Sequence, residues 1–128
     1  MRAMVVDDEA LTLNELIYLL SRYGTVEIAG AFTASVSALE AAESIRPDVF
    51  FLDLSMPVMS GAELAKKILA QNPAACIVFV TAYAKELERA KGIPAFGTLL
   101  KPVSSAKLDE LMERLRARPP DTQRDAQA

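Results

Sequence analysis

The chain has 128 residues, 52% of them hydrophobic and 24% charged, with a net charge of −3 and no histidine. That length fits one domain of ordinary size, and the apolar fraction excludes wholesale disorder. The missing histidine excludes Ser-His-Asp and Cys-His catalysis and His-ligated zinc, and a weakly acidic chain without a dense Lys/Arg stripe is a poor nucleic-acid binder by itself.

The apolar runs are far shorter than a membrane span, and Met1 to Val6 ahead of two aspartates make no secretory signal, so a soluble cytosolic domain is expected. The first predicted strand, Ala3–Val6, leads into Asp7-Asp8-Glu9. Leu13, Leu16, Ile17 and Leu20 follow at i, i+3, i+4 and i+7, which predicts a helix that Gly24 ends. Val26–Phe32 alternates, with Val26, Ile28 and Phe32 on one side and Glu27 on the other, as in a strand near a sheet edge. Ala38, Leu39, Ala42 and Ile45 form another helical stripe, and Pro47 precedes the third strand. Val49–Leu52 is continuously apolar and reads as a strand covered on both faces. It ends in Asp53 and a loop, Leu54–Ser60, which Met56-Pro57 stiffens before Gly61 allows a tight entry into the next helix. That helix carries Leu64, Ala65, Ile68 and Leu69 and stops before Pro73.

Cys76–Val80 is another continuous strand run and ends in Thr81. Cys76, the single cysteine, reads as a buried small hydrophobe. Tyr83–Lys91 has only Tyr83, Leu87 and Ala90 at helical spacing among five charges, which predicts a short, loosely held helix. Ala95–Leu100 forms the fifth strand and ends in Lys101. Leu108, Leu111, Met112 and Leu115 mark the last helix. Residues 1–118 form the predicted domain. From Pro119-Pro120 to Ala128 the chain is polar and aperiodic, which predicts a disordered tail or linker stub. Five strands alternating with five helices, joined by right-handed crossovers, give an α/β fold: a parallel five-stranded sheet with helices on both faces.

In such a sheet chemistry gathers at the carboxyl ends of the strands. Four strand ends deliver Asp7, Asp8 and Asp53, the Thr81 hydroxyl and the Lys101 ammonium to one rim. Singly, each has a plain explanation. Asp7 or Asp8 and Thr81 fit helix capping, and Lys101 fits a solvated helix start, although a cation there opposes the macrodipole. Jointly they do not, because three carboxylates brought together repel one another unless a cation sits among them. Oxygen ligands without His or paired Cys suit a hard ion such as Mg²⁺. A carboxylate can also be the nucleophile toward phosphorus, with cations and donors placed around the transferring group. Asp53 is the natural nucleophile, since it ends the central apolar strand.

Val5-Val6-Asp7-Asp8-Glu9, Phe51-Leu52-Asp53-Leu54-Ser55-Met56-Pro57 through Gly61, Val80-Thr81-Ala82 and Leu99-Leu100-Lys101-Pro102 together resemble the receiver domain of two-component response regulators. They run in family order and spacing from residue 2 to about 116. The resemblance implies a doubly wound, flavodoxin-like sheet of order 2-1-3-4-5. It implies Asp53 as phospho-acceptor from a histidine kinase, and Asp7, Asp8, Asp53 and the Ser55 carbonyl as Mg²⁺ ligands. Thr81 and Lys101 match the phosphoryl-binding switch pair, and Ser55 and Tyr83 match positions that tune hydrolysis. It further implies a signal leaving through the face of the fourth helix, fifth strand and fifth helix, a phosphorylation-dependent homodimer, and a C-terminal effector domain in a longer chain. No membrane partner and no direct nucleic-acid contact are expected. Such a domain catalyses only its own phosphorylation and slow dephosphorylation, so it is not an enzyme toward other substrates.

The wording Val80-Thr81-Ala82-Tyr83 and Leu99-Leu100-Lys101-Pro102-Val103 is similar to receivers that precede LytTR-type or SARP-like effectors. Two departures stand out. Thr98, preceded by Gly97, occupies the place of the family's switch aromatic, which bears on coupling, and Ser60 precedes Gly61. The main alternative is a pseudo-receiver whose output ignores phosphate. A haloacid-dehalogenase-like phosphohydrolase needs a second acid where Ser55 stands. A flavodoxin-like FMN site lacks its phosphate loop.

Overall fold

The computed structural model describes residues 1–118, and the expected tail or linker at 119–128 lies outside them. β1 (Arg2–Val6), β3 (Val49–Asp53) and β4 (Cys76–Thr81) are buried along their length apart from Arg2. Continuous Val, Ile, Leu and Phe runs of this kind are stable only where both sheet faces are covered. With β2 (Glu27–Phe32) and β5 (Gly97–Leu100) they form one parallel sheet in the order β2-β1-β3-β4-β5, so β2 and β5 are its edges.

Side chains alternate across this sheet and feed two cores. Ala3, Val5, Val49, Phe51, Val78 and Val80 pack under α1 (Ala10–Ser21) and α4 (Ser105–Ala117). Met4, Val6, Phe50, Leu52, Ile77 and Phe79 pack under α2 (Ser35–Ile45) and α3 (Gly61–Gln71). The helical stripes read from the sequence supply the lids: Leu13, Leu16 and Leu20 are buried on α1, and Leu108, Leu111, Met112 and Leu115 on α4. Serine caps begin two helices. The Ser60 hydroxyl accepts from the Glu63 N–H at 3.2 Å and the Ser104 hydroxyl from the Lys107 N–H at 3.0 Å. The departure at Ser60 thus serves the start of α3.

Two expectations are corrected, and the short, loosely held helix expected at Tyr83–Lys91 is found in 3₁₀ form. Phe32 does not share a face with Val26 and Ile28. The pairing of β1 with β2 shifts between Ala3 and Met4, where Ile28 is followed in register by Gly30. That bulge takes up Ala29 and reverses the side-chain parity, so Val26 and Ile28 lie against the α1 core and Phe32 against the α2 core. α1 ends at Ser21 with Arg22 as its C-cap, before Gly24. The segment after β4 is a 3₁₀ helix, Ala84–Ala90, with no buried residue. It has too little apolar anchorage to hold an α-helical turn against the sheet, and 3₁₀ geometry is common in such short pieces. Together with it, the four α-helices make five helical elements.

The loop after β3 is held by packing as well as by bonding. Leu54 and Met56 are buried, and the Gly61 N–H donates to the Leu54 carbonyl at 3.0 Å. A Cβ on Gly61 would lie 2.0 Å from the Asp53 carbonyl oxygen and 2.8 Å from the Leu54 Cα, both backbone atoms. Glycine is therefore required there by close approach. Gly61→Ala is expected to lower unfolding stability by about 3 kcal/mol, within the range of overpacking, and to displace the loop. Gly24→Ala, with nothing within 4 Å of the new methyl, should cost nothing measurable. Urea denaturation of the two variants checks the contrast.

Candidate functional site

β1 and β3 are adjacent and in register, with Val6 beside Leu52. The residues that follow, Asp7 and Asp53, therefore emerge side by side at the same rim. Both are buried, at 3% and 4% exposure, while Asp8 is more open to solvent. One carboxylate oxygen from each of Asp7, Asp8 and Asp53 lies within 4.8 Å of the others. Acids from two separate stretches of chain, Asp7-Asp8 and Asp53, converge because two adjacent strands end at the same rim.

The cation comes from the far side of the sheet. β5 pairs with β4 so that Leu100 lies beside Thr81, and the Lys101 N–H donates to the Thr81 carbonyl at 2.8 Å. From there the Lys101 Nζ reaches Asp7 Oδ2 at 2.7 Å and Asp53 Oδ1 at 3.6 Å. Lys101 is thus a largely buried partner of the acids, which removes the reading of it as a solvated helix start. The simple capping reading fails as well. Asp7 Oδ1 accepts from the Glu9 N–H at 3.0 Å, just ahead of α1, and the N-cap of α1 is Glu9 with no side-chain cap.

The Asp53 carboxyl is pushed up from 3.8 to about 7. Burial is the largest cause and the charge of Asp7 the next. Lys101 and the Ser55 N–H, at 3.5 Å from Asp53 Oδ1, pull it back, and the Asp8 side chain adds to the rise. For Lys101, burial works to lower the ammonium. The Asp7 hydrogen bond, with the charges of Asp53, Asp7 and Glu9, outweighs it and holds the group above its ordinary value.

Thr81 is fully buried at the end of β4. Its Oγ1 accepts from the Tyr83 N–H at 3.3 Å and donates to the Tyr83 carbonyl at 3.5 Å, which links it to the N-cap of the 3₁₀ segment. The Tyr83 side chain is exposed, and Ser55 is exposed beside Asp53. Thr98 is exposed on the edge strand and outside the acid cluster. The Asp7–Lys101 contact was not legible in the sequence. Only the register of β5, which sets the reach of a long flexible side chain, assigns it.

A parallel sheet of this order carries three acids, a lysine and a threonine at the carboxyl ends of its strands. They offer oxygen donors and a cation suited to a hard metal ion and to phosphoryl oxygens, the setting of a doubly wound α/β domain with its site at the strand ends. Residues 3–118 match the family model of the response regulator receiver domain, and the chain belongs to that family. It is 37% identical over 113 residues to an uncharacterized response regulatory protein of Vibrio cholerae, covering 88% of this chain and 47% of the relative. It is 36% identical over 115 residues to the transcriptional regulatory protein BtsR of Escherichia coli, covering 90% of this chain and 48% of BtsR. The chain thus spans about half the length of these relatives. Among solved structures it is similar to the response regulatory domain of MrkE from Klebsiella pneumoniae, with a TM-score of 0.82 and 29% identity over 91% of this chain and 96% of that one. As a receiver domain of a two-component response regulator, the protein is a phosphorylation-controlled switch. Receiver domains bind Mg²⁺ at an acidic pocket, and the Asp7, Asp8 and Asp53 cluster offers the oxygen donors such an ion takes. No helix among the described residues is long and apolar enough to cross a membrane.

A raised carboxyl value has a signed consequence for stability. Between pH 3.8 and about 7 the folded state holds the Asp53 proton more tightly than the unfolded chain does. That contribution is complete at low pH and is lost as pH rises through about 7. Without metal, Asp53→Asn is expected to match the parent near pH 4 and to exceed it at pH 8, by on the order of 3 kcal/mol. Urea midpoints in EDTA across that range measure the difference.

Proposed function

We propose that Asp53 accepts a phosphoryl group from the phosphohistidine of a sensor kinase. The buried Asp7 and Asp53 carboxylates with the Lys101 ammonium between them carry this reading. An Asp53 Oδ attacks phosphorus, the bond from phosphorus to the kinase imidazole nitrogen breaks, and its electron pair stays with the imidazole. The product is an acyl phosphate on Asp53. The carboxylates of Asp7, Asp8 and Asp53 and the backbone carbonyl of Ser55 would hold Mg²⁺. When bound, that ion offsets the negative charge of the acids and of the phosphoryl oxygens.

The side chains of this chain do the rest. Lys101 faces one phosphoryl oxygen, and the Thr81 hydroxyl turns from the Tyr83 carbonyl to donate to another. Thr81 and Lys101 are the phosphoryl-sensing pair, and Ser55 and Tyr83 flank the water path that sets the lifetime of the acyl phosphate. Because Thr81 is bonded to the N-cap of the 3₁₀ segment, its movement changes the face formed by that segment, β5 and α4. Thr98 on that face replaces the family's aromatic, so coupling runs through the Thr81–Tyr83 bonds.

The domain acts on no separate substrate and catalyses only its own phosphorylation and slow dephosphorylation. It works in the cytoplasm, dimerises when phosphorylated, and drives a C-terminal effector of the LytTR or SARP-like kind. Thr81-Ala82-Tyr83 and Leu99-Leu100-Lys101-Pro102-Val103 support that last assignment. Intact-mass spectrometry after incubation with acetyl phosphate and Mg²⁺ should find one added phosphoryl group, absent with EDTA and absent from Asp53→Asn. If no adduct forms, and beryllofluoride with Mg²⁺ leaves amide exchange unchanged at 81–101, the phosphorylation-independent reading replaces this one.

A further inference from the structure

Among the described residues one buried side-chain polar atom lacks a hydrogen-bond partner, the Oε2 atom of Glu86. Glu86 lies in the first turn of the 3₁₀ segment Ala84–Ala90, and its side chain is 16% exposed. A period of three residues per turn places Arg89 over it. The Arg89 Nε lies 3.3 Å from that oxygen but without the alignment of a hydrogen bond. Arg89 is itself 60% exposed, so water competes for its charge and the pair offsets little. The segment has few contacts to set against this cost. None of its residues is buried, and only Leu87 and Ala90 pack partly against the core under α2 and α3. The neighbouring α4 is held far more firmly. It has four buried residues and the Ser104 cap, and its Arg114 donates to the Phe96 carbonyl at 3.3 Å.

We propose that the Glu86 carboxylate is a built-in destabiliser of the 3₁₀ segment, holding residues 84–93 close to local opening while the rest of the domain stays closed. A buried acceptor with no donor is unfavourable, and that cost is relieved as soon as the segment opens and water reaches the oxygen. Where apolar anchorage is slight, one such group governs the opening equilibrium. The first bond of the segment runs from the Glu86 N–H to the Tyr83 carbonyl at 2.9 Å, and that carbonyl also accepts the Thr81 hydroxyl at 3.5 Å. Opening at Glu86 and the position of the Thr81 hydroxyl are therefore coupled through one oxygen atom. The effect belongs to the unmodified, metal-free protein and does not rest on the reading of Asp53 as phospho-acceptor.

Amide hydrogen exchange followed by NMR on the full chain tests this in the parent, Glu86→Met and Glu88→Met. The reporters are the N–H groups of residues 86, 91 and 93, which bond to the Tyr83, Glu88 and Ala90 carbonyls. The Leu64 and Leu108 N–H groups, in the first turns of α3 and α4, are the references. Glu86→Met keeps the length of the side chain and removes the orphan oxygen. It should raise protection at 86, 91 and 93 on the order of tenfold and leave 64 and 108 within about twofold. Glu88→Met removes an equal charge from an exposed position of the same segment, and should leave all five amides within about twofold of the parent. Thermal melts establish that each variant is folded, and Glu86→Ala replaces Glu86→Met if the latter is not. Unchanged or lower protection at 91 and 93 in the folded Glu86 variant overturns the proposal. An equal rise in Glu88→Met overturns it too, by assigning the effect to net charge, and an equal rise at 64 and 108 does so by assigning it to global stability. Failure of both Glu86 variants to fold is a fourth contrary result, because removing a destabiliser does not unfold a protein.

Discussion

Two buried carboxylates placed next to each other are the constraint to which the rest of this domain answers. Asp7 and Asp53 follow directly on Val6 and Leu52, which are paired in register on adjacent parallel strands. The repulsion between them would be relieved by any change that separates or solvates them. The chain prevents this through the strands behind them, whose side chains alternate into two packed cores, one on each face. Slipping β1 by one residue would send Val5 and Met4 to the wrong cores together with Asp7, so the acids cannot part without exposing apolar surface on both sides. Hydrophobic register thus holds an unfavourable electrostatic arrangement in place.

The loop after Asp53 applies the same principle over a shorter distance. Leu54 and Met56 are buried, and Gly61 returns so close to the Asp53 carbonyl that no side chain fits between them. The backbone of Asp53 and Ser55 is therefore clamped from both ends, by the sheet register before it and by the start of α3 after it. In the proposed role, where Asp53 would present one oxygen to a metal and another to phosphorus, this rigidity serves alignment, on which attack depends more than on intrinsic reactivity. The apex of the loop is different. Val58 stands at φ 69 with its side chain 93% exposed, and the Met59 N–H donates to the Pro57 carbonyl around it. That is the strained hand of a three-residue turn for a β-branched residue. The clamped base and the tight apex together leave the loop few ways to move.

Much of this was legible in the sequence because it follows from patterns of period two and period 3.6. The continuous runs at Ala3–Val6, Val49–Leu52 and Cys76–Val80 gave the three central strands, and the polar residues ending them gave the rim where Asp7, Asp8, Asp53 and Thr81 meet. Failures came where one residue changes parity. The bulge at Ala29 puts Phe32 on the face opposite Ile28, and nothing in an alternating pattern announces an extra residue. Tyr83–Lys91 is the short, loosely held helix its spacing indicated, and its thin packing leaves it in 3₁₀ form. The reach of Lys101 to Asp7 was also hidden, because the direction of a long side chain is set by tertiary register rather than by neighbours in sequence.

Those same thin places lie together on one side of the molecule. β1, β3 and β4 are buried throughout their site-proximal halves. β5 offers only Leu99 to the core, and it leaves Thr98 and Leu100 exposed at the sheet edge. The 3₁₀ segment beside it contributes only partly buried Leu87 and Ala90. Stability in a domain is uneven, and the element with least buried area opens at the lowest cost. The site reaches that weak side through two bonds: the Lys101 N–H to the Thr81 carbonyl, and the Tyr83 N–H to the Thr81 hydroxyl. Asp53 is flanked by β1 and β4, both buried where they approach it, and the lightly packed elements, β5 and the 3₁₀ segment, lie beyond β4. In the proposed switch, those two bonds are the short path by which a change at Asp53 would reach this lightly packed edge.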